Sequence, residues 1–433
     1  MTVTRPRIAL YGGGGAPYNH AAIFARAGYE IDFVFPADVR SGALAGFDVF
    51  VMPGGGYRAM MGQIQPLGRD GARALREYVH AGGMYVGCCA GSYSAATVAK
   101  SFLDLCPEQE EMCLSAATVW NDGGEEWGLR SPGVGVLRAE TVAAEHPVMA
   151  GMPETFEIAH YNGPFFRGAT PLARVVGRTE RFTPWEEMLG RRSERPIVDD
   201  AAEEGVANIV ADAAGDGRVV LFGSHPEFGF TIAMEDEQGP ALMLRNAVEW
   251  QLAESGSPVR PDVDLYSHRN PGDEADADPA RVAGLATRLH SLTAAIRDRT
   301  DTPRWLEPAH AMSVFGLQPR EIWIQSLDAI DRLSADVERG APHTDPRALA
   351  FRAPAEWELD GGYHGVVALL EQSVDLLQQA VTTWHFDPGA ETTNPYQHME
   401  TSPYHLVAGS YLAAVGRVAA AALLCTAYQR VPA

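Results

Sequence analysis

Short apolar runs punctuate the first half of the chain, each a strand's length and each followed by glycine or proline. They are Arg7–Tyr11 (RIALY), Ile31–Phe35 (IDFVF), Val49–Met52 (VFVM) and Met84–Cys88 (MYVGC). Segments with helical spacing lie between them, such as Gly71–His80. Alternation of this kind predicts β-α units building a mostly parallel sheet. Further on, Ala207–Ala211 and Arg218–Phe222 flank Asp216-Gly217, a hairpin signal, and a helix is expected around Pro240–Leu252.

From Glu254 to Pro279 the periodicity stops, and proline, glycine and acidic residues dominate. This stretch reads as a linker, 254–279, separating a unit of residues 1–253 from one of 280–433. Beyond it the apolar step is three and four. Val282, Leu285, Leu289, Leu292 and Ile296 form one such face, and Trp323, Leu327, Ile330, Leu333 and Val337 a second. Val366, Leu370, Val374, Leu377 and Val381 form a third. With the apolar stretch Leu406–Tyr428, these predict an antiparallel helical bundle. Arg417 interrupts that last stretch, which therefore reads as a buried helix and not a membrane span.

Composition narrows the function classes. The 433 residues carry 56 acidic against 34 basic side chains, a formal charge of −22, so no basic surface for nucleic acid or an anionic membrane is expected. The N-terminal apolar run is too short for a signal peptide. Five irregularly spaced cysteines suggest neither a disulfide framework nor a paired zinc motif, and a cytoplasmic setting is expected.

The strongest chemical signal is Gly87-Cys88-Cys89-Ala90-Gly91, placed where an apolar strand ends. A nucleophile on a tight strand-to-helix turn needs small flanking residues, and position selects Cys89, with Cys88 packing sideways or downward. A helix over Ser94–Lys100 is expected to follow, and the N–H of Ala90 would face a developing oxyanion. A second strand, Arg218–Phe222, leads into His225-Pro226-Glu227, which supplies a base and a carboxylate to orient it from one loop. The third element is Pro53-Gly54-Gly55-Gly56-Tyr57, whose N–H groups could complete an oxyanion site.

PGGG, GCCAG and HPE in that order on a β-α chain resemble the class I glutamine amidotransferase-like superfamily. Within it, IALYGGGGA, PGGGYRAM, GGMYVGCCAGSYSAA and HYNGPFF (His160 to Phe166) look most like the biotin-protein ligase N-terminal-domain-like family. The resemblance covers about residues 5–250. It implies a flavodoxin-like α/β sandwich with its site at the C-terminal strand ends. It also implies Cys89, His225 and Glu227 as a triad, with Gly55 or Gly56 and Ala90 as oxyanion donors. Glutaminases of the superfamily typically have Gln four residues after the nucleophile, where this chain has Tyr93. No stretch reads as an ATP-dependent synthetase or a biotin ligase catalytic domain.

The function expected is a cysteine-dependent hydrolase or amidotransferase, acting on a small-molecule or peptide-like amide through an acyl-enzyme. The alternatives are a glutaminase supplying ammonia to a separate synthase, and a non-catalytic module with a relic triad. His20, Tyr57, Tyr93, Trp120, Tyr161 and Asn162 are candidates to line the substrate pocket. No cofactor is called for, and no metal: Cys106 and Cys113 lack further ligands, and the seven histidines from His290 to His405 form no Glu-x-x-His repeat. The helical part is expected to make a homo-oligomer or cover the site.

Overall fold

The computed structural model describes residues 6–13, 17–54, 60–98, 103–104, 106–124, 128–188, 195–227, 239–255, 261, 263, 265, 278–301, 319–344, 349, 353–354, 363–382, 384, 417–419, 421–422 and 425. In the first half, β1 (Arg7–Tyr11), β3 (Val49–Met52) and β4 (Met84–Cys88) are the runs read from the sequence, and β2 (Glu30–Val34) lies one residue earlier than the run Ile31–Phe35. β3 and β4 are buried at every position, because helices cover both faces of a parallel sheet and leave no solvent side for polar residues. Between them run α1 (Tyr18–Arg26), α2 (Pro36–Arg40), α3 (Met60–Ile64) and α4 (Gly68–His80). On α4 the buried positions are Gly71, Ala72, Leu75 and Val79, the stripe expected of an amphipathic helix.

A twelve-stranded sheet forms the frame. With β14 (Gly217–Phe222), its parallel half runs β2-β1-β3-β4-β14, which is the flavodoxin-like order. The other half is antiparallel. β13 (Ala207–Ala214) pairs with β14 and with β11 (Thr170–Arg178), and β11 pairs with β8 (Gly133–Thr141). β8 also holds β9 (Thr155–Tyr161) and β12 (Thr183–Pro184). β10 (Phe166–Arg167) pairs with β13 at Ala207 and with β5 (Thr118–Val119), while β6 (Asp122–Gly124) and β7 (Gly128–Leu129) form a separate ladder.

The β13–β14 hairpin corrects the expected turn by one residue. Ala214 pairs with Gly217, so the two-residue loop is Gly215-Asp216, and Gly215 takes the positive φ (+61°). Gly217 is instead in the strand, where a Cβ would run into the carbonyls of Val79 and Gly83.

Three further helices are Pro279–Arg297, Pro319–Gly340 and Val366–Thr382. The first is capped by Asp278, whose Oδ1 accepts the Ala280 N–H at 2.9 Å, and begins on a proline. It packs against both of the others. Most of the apolar C-terminal stretch lies outside the described residues, but Val418, Ala421, Ala422 and Cys425 are buried. Arg417 donates to Gln372 Oε1 at 2.7 Å, and Thr344 Oγ1 to the Cys425 carbonyl at 2.8 Å, which ties this segment to the other helices.

Most of the expected linker also lies outside the described residues. Its described positions rest on the first half: Arg7 donates to the Pro261 carbonyl at 3.1 Å, Val263 packs at Gly46, and Leu265 is buried. No described helix is long and apolar enough to cross a membrane.

Candidate active site

β3, β4 and β14 are neighbours in the parallel half, and their C-terminal ends deliver Gly54, Cys89 and His225 to one place. Cys89 has φ +47° and ψ −109°, a conformation that side-chain-bearing residues rarely adopt. Strain of this kind costs about 1–3 kcal/mol and persists only where the surroundings fix it. The surroundings do so here. The Cys89 N–H donates to the Phe222 carbonyl at 2.8 Å, and Ser92 Oγ lies 2.8 Å from the carbonyl oxygens of both Gly87 and Phe222. A Cβ on Gly87 would meet the Gly91 carbonyl, and one on Gly91 the Met52 carbonyl. Both glycines of the G-x-C-x-G pattern are thus forced by close backbone approach.

The following helix, α5, is Ala90–Ala95, not the expected Ser94–Lys100. The tight turn at Cys89 feeds straight into it, because the N–H groups of Ser92 and Tyr93 both donate to the Cys89 carbonyl.

His225 follows β14 after Gly223 and Ser224, and its N–H donates to the Ala159 carbonyl at 2.8 Å. Its Nδ1 lies 2.7 Å from Glu227 Oε1, with both side chains buried. Burial opposes a charge on the imidazole, but the Glu227 carboxylate and then Cys89 outweigh it and raise its pKa to about 10. Burial likewise works against the Glu227 carboxylate, yet His20 and His225 hold its pKa below the usual value. A Cβ on Gly54 would fall 2.5 Å from His225 Cε1 and 2.8 Å from Cys89 Cβ. Gly54 therefore fills the gap beside the Cys–His pair, which leaves no room for a side chain.

The opposite wall is the turn after β9. Cys89 Sγ donates to the Tyr161 carbonyl at 3.2 Å. Asn162 has φ +49°, so Cys89 and Asn162, the described non-glycine residues with φ in the left-handed range, both lie here. Asn162 Oδ1 accepts the Gly133 N–H at 2.9 Å. Tyr93 is buried and donates to the Asn162 carbonyl at 3.0 Å, while Asn121 Nδ2 donates to the Tyr93 hydroxyl at 2.8 Å. Asn121 Oδ1 in turn accepts the Phe165 N–H at 2.9 Å.

His20, a candidate to line the substrate pocket, lies buried on α1. Its Nε2 lies 3.3 Å from Cys88 Sγ and 3.7 Å from Glu227 Oε2. Trp120 has its indole N–H committed to Glu204 Oε2 at 3.1 Å and its ring under Arg167, so it is held at the surface. Gly55, Gly56 and Tyr57 lie outside the described residues.

Reading residue by residue missed His160, whose Nδ1 is 3.1 Å from Ser224 Oγ and whose ring stacks on Phe165. Burial first, and then His225, push its pKa down to about 3, so it is neutral. Also missed were Ser92 and Asn121, and the grouping of His20, Cys88 and Glu227, whose ligand-type atoms lie within 4.8 Å of one another. No spacing along the chain signals that grouping, since its members come from three separate elements.

Among proteins of known sequence, the chain is 28% identical over 206 residues to a shikimate kinase of Halobacterium salinarum. That match covers 46% of this chain, and the chain spans somewhat over half (58%) of that relative's length. Among solved structures it is similar to a glutamine amidotransferase from Thermotoga maritima, at 16% identity over 60% of this chain and 88% of that one, with a TM-score of 0.31. It is also similar to the glutaminase domain of Trypanosoma brucei CTPS with bound acivicin, at 16% identity, 59% and 96% coverage and a TM-score of 0.31. Residues 44–103, which carry β3, the Gly54 loop, β4 and the Cys89 turn, match the family described as biotin-protein ligase, N terminal.

Proposed function

We propose that the chain is a cysteine-dependent enzyme acting on an amide or related acyl C–N bond. The observation that carries this is the strained Cys89 turn, packed through Gly54 against the buried His225–Glu227 pair. Cys89 passes its thiol proton to His225 and attacks the acyl carbon as the thiolate, and the carbonyl oxygen takes the negative charge. Ala90 and Gly55 or Gly56 are the proposed backbone donors to that oxygen. His225, kept charged by Glu227, gives its proton to the departing nitrogen as the C–N bond breaks and a thioester forms. Neutral His225 then takes a proton from water, which attacks the thioester and frees Cys89 and a carboxylic acid. His160 is neutral and takes no part in the proton transfers.

Glutamine as the substrate has weaker support, because Tyr93 occupies the position where glutaminases carry Gln, and its hydroxyl already bridges Asn121 and Asn162. One observation favours the non-catalytic reading: the Cys89 thiol is hydrogen-bonded to the Tyr161 carbonyl instead of pointing into open space. Incubation with a diazo-ketone glutamine analogue and with smaller chloroacetamides, followed by peptide mapping, separates the three. Labelling of Cys89 by both marks a glutaminase, by chloroacetamides alone another acyl enzyme, and by neither a binding module.

A further inference from the structure

Behind the Cys89–His225 pair, three chemically different ligand groups converge from three elements. His20 comes from α1, Cys88 from the last position of β4, and Glu227 from the loop after β14. All three are essentially excluded from solvent. Glu227 uses Oε1 to hold His225, while its Oε2 accepts no hydrogen bond from a described residue. His20 Nε2 lies 3.7 Å from that oxygen, beyond hydrogen-bond reach, and a cation held between the two would satisfy it.

The two spacings from His20 agree with that demand. Tetrahedral bonds of about 2.0 Å to nitrogen or oxygen and about 2.3 Å to sulfur place ligand atoms roughly 3.3–3.6 Å apart. His20 Nε2 lies 3.3 Å from Cys88 Sγ and 3.7 Å from Glu227 Oε2, and the set stays within 4.8 Å. An N, S, O donor set of this kind suits a borderline-soft ion better than magnesium or calcium, which prefer oxygen.

We propose that His20, Cys88 and Glu227 form a site for one divalent ion of the zinc class, with the fourth position left to water. Cys88 binds as thiolate and its proton leaves to solvent. Glu227 then meets the ion through Oε2 and keeps Oε1 on His225, an outer hydrogen bond of the kind that orients ligating carboxylates. The site stands whether or not Cys89 is a nucleophile.

Cobalt(II) is the probe, titrated into chelator-treated protein carrying Cys113→Ser, since Cys113 is an exposed thiol that could bind the metal adventitiously. The expected result is one equivalent bound, with a thiolate-to-cobalt charge-transfer band and tetrahedral d–d absorption. Cys88→Ser should abolish the band, and His20→Gln should weaken binding by at least about 10- to 100-fold. Cys89→Ser should leave both unchanged. Near-ultraviolet circular dichroism of the metal-free variants checks their folding, and Cys88→Ala replaces Cys88→Ser if the serine does not fold. No stoichiometric binding, or a band that survives loss of Cys88, would overturn the proposal. So would a band lost with Cys89→Ser, which would put the ion on the triad thiol.

Discussion

The phenol of Tyr93 donates to the main-chain oxygen of Asn162 at 3.0 Å, joining the helix that follows the Cys89 turn to the turn that ends β9. Asn162 has a positive φ, and the preceding residue, Tyr161, carries the carbonyl that accepts the Cys89 thiol. Removing the phenol oxygen leaves the Asn162 carbonyl and one Asn121 N–H without this partner inside the protein. Tyr93→Phe should therefore destabilise the fold by about 1–3 kcal/mol, read from chemical denaturation. It should also change the alkylation rate of Cys89 and leave that of Cys113 as it was. Equal stability to the parent would mean that the bridge does not hold the wall of the site.

Gly54 offers a sharper geometric test. A methyl group there would meet the ring of His225 and the Cβ of Cys89 at 2.5 and 2.8 Å, so one of the two side chains must move. A displacement of about 1 Å in such a site can cost about 10²-fold in rate. Gly54→Ala should lower Cys89 reactivity by that order with little change in circular dichroism. An unchanged rate would show that the pair does not depend on that contact.

The buried imidazolium–carboxylate pair makes stability depend on pH in a definite direction. His225 has its folded pKa raised to about 10 from 6.5, so its contribution is fully present below 6.5 and is lost as pH rises towards 10. The melting temperature should fall over that window more steeply in the parent than in Glu227→Gln, where the carboxylate charge is gone. Parallel curves for the two proteins would contradict the pairing.

Some of this was legible in the sequence and some was not, for physical reasons. The turn glycines are dictated locally: a strained residue between close-packed backbones leaves Gly87 and Gly91 no room for a side chain, so GCCAG announces the conformation. His225-Pro-Glu227 is legible because both members share one loop. The surroundings of His20 were not legible, because they depend on how α1 lies across the strand ends, which no local pattern records. In the helical half the period was right, but the most buried positions of Pro279–Arg297 include Ala286 and Thr293, while Leu285 and Leu292 are only partly buried. A helix packed against two others puts small side chains at the closest approach and leucines at the flanks, which a hydrophobicity pattern alone does not reveal.

Ser92 carries a structural prediction of the same kind. It is buried, and its hydroxyl bridges the carbonyls of Gly87 and Phe222, locking the strained turn to the neighbouring strand. Ser92→Ala should cost about 1–3 kcal/mol in denaturation, because the Gly87 carbonyl loses a buried partner. A change within a few tenths of a kcal/mol would mean that the turn is held by its other bonds.

The proposal that His225 and Glu227 activate Cys89 is tested most directly by alkylation with iodoacetamide at pH 7, resolved site by site by peptide mass mapping. Exposed Cys113 in the same molecule serves as the internal reference. His225→Ala and Glu227→Gln should each slow Cys89 by at least about 10-fold while Cys113 keeps its rate. A Cys89 rate that is the same in all three proteins would contradict it.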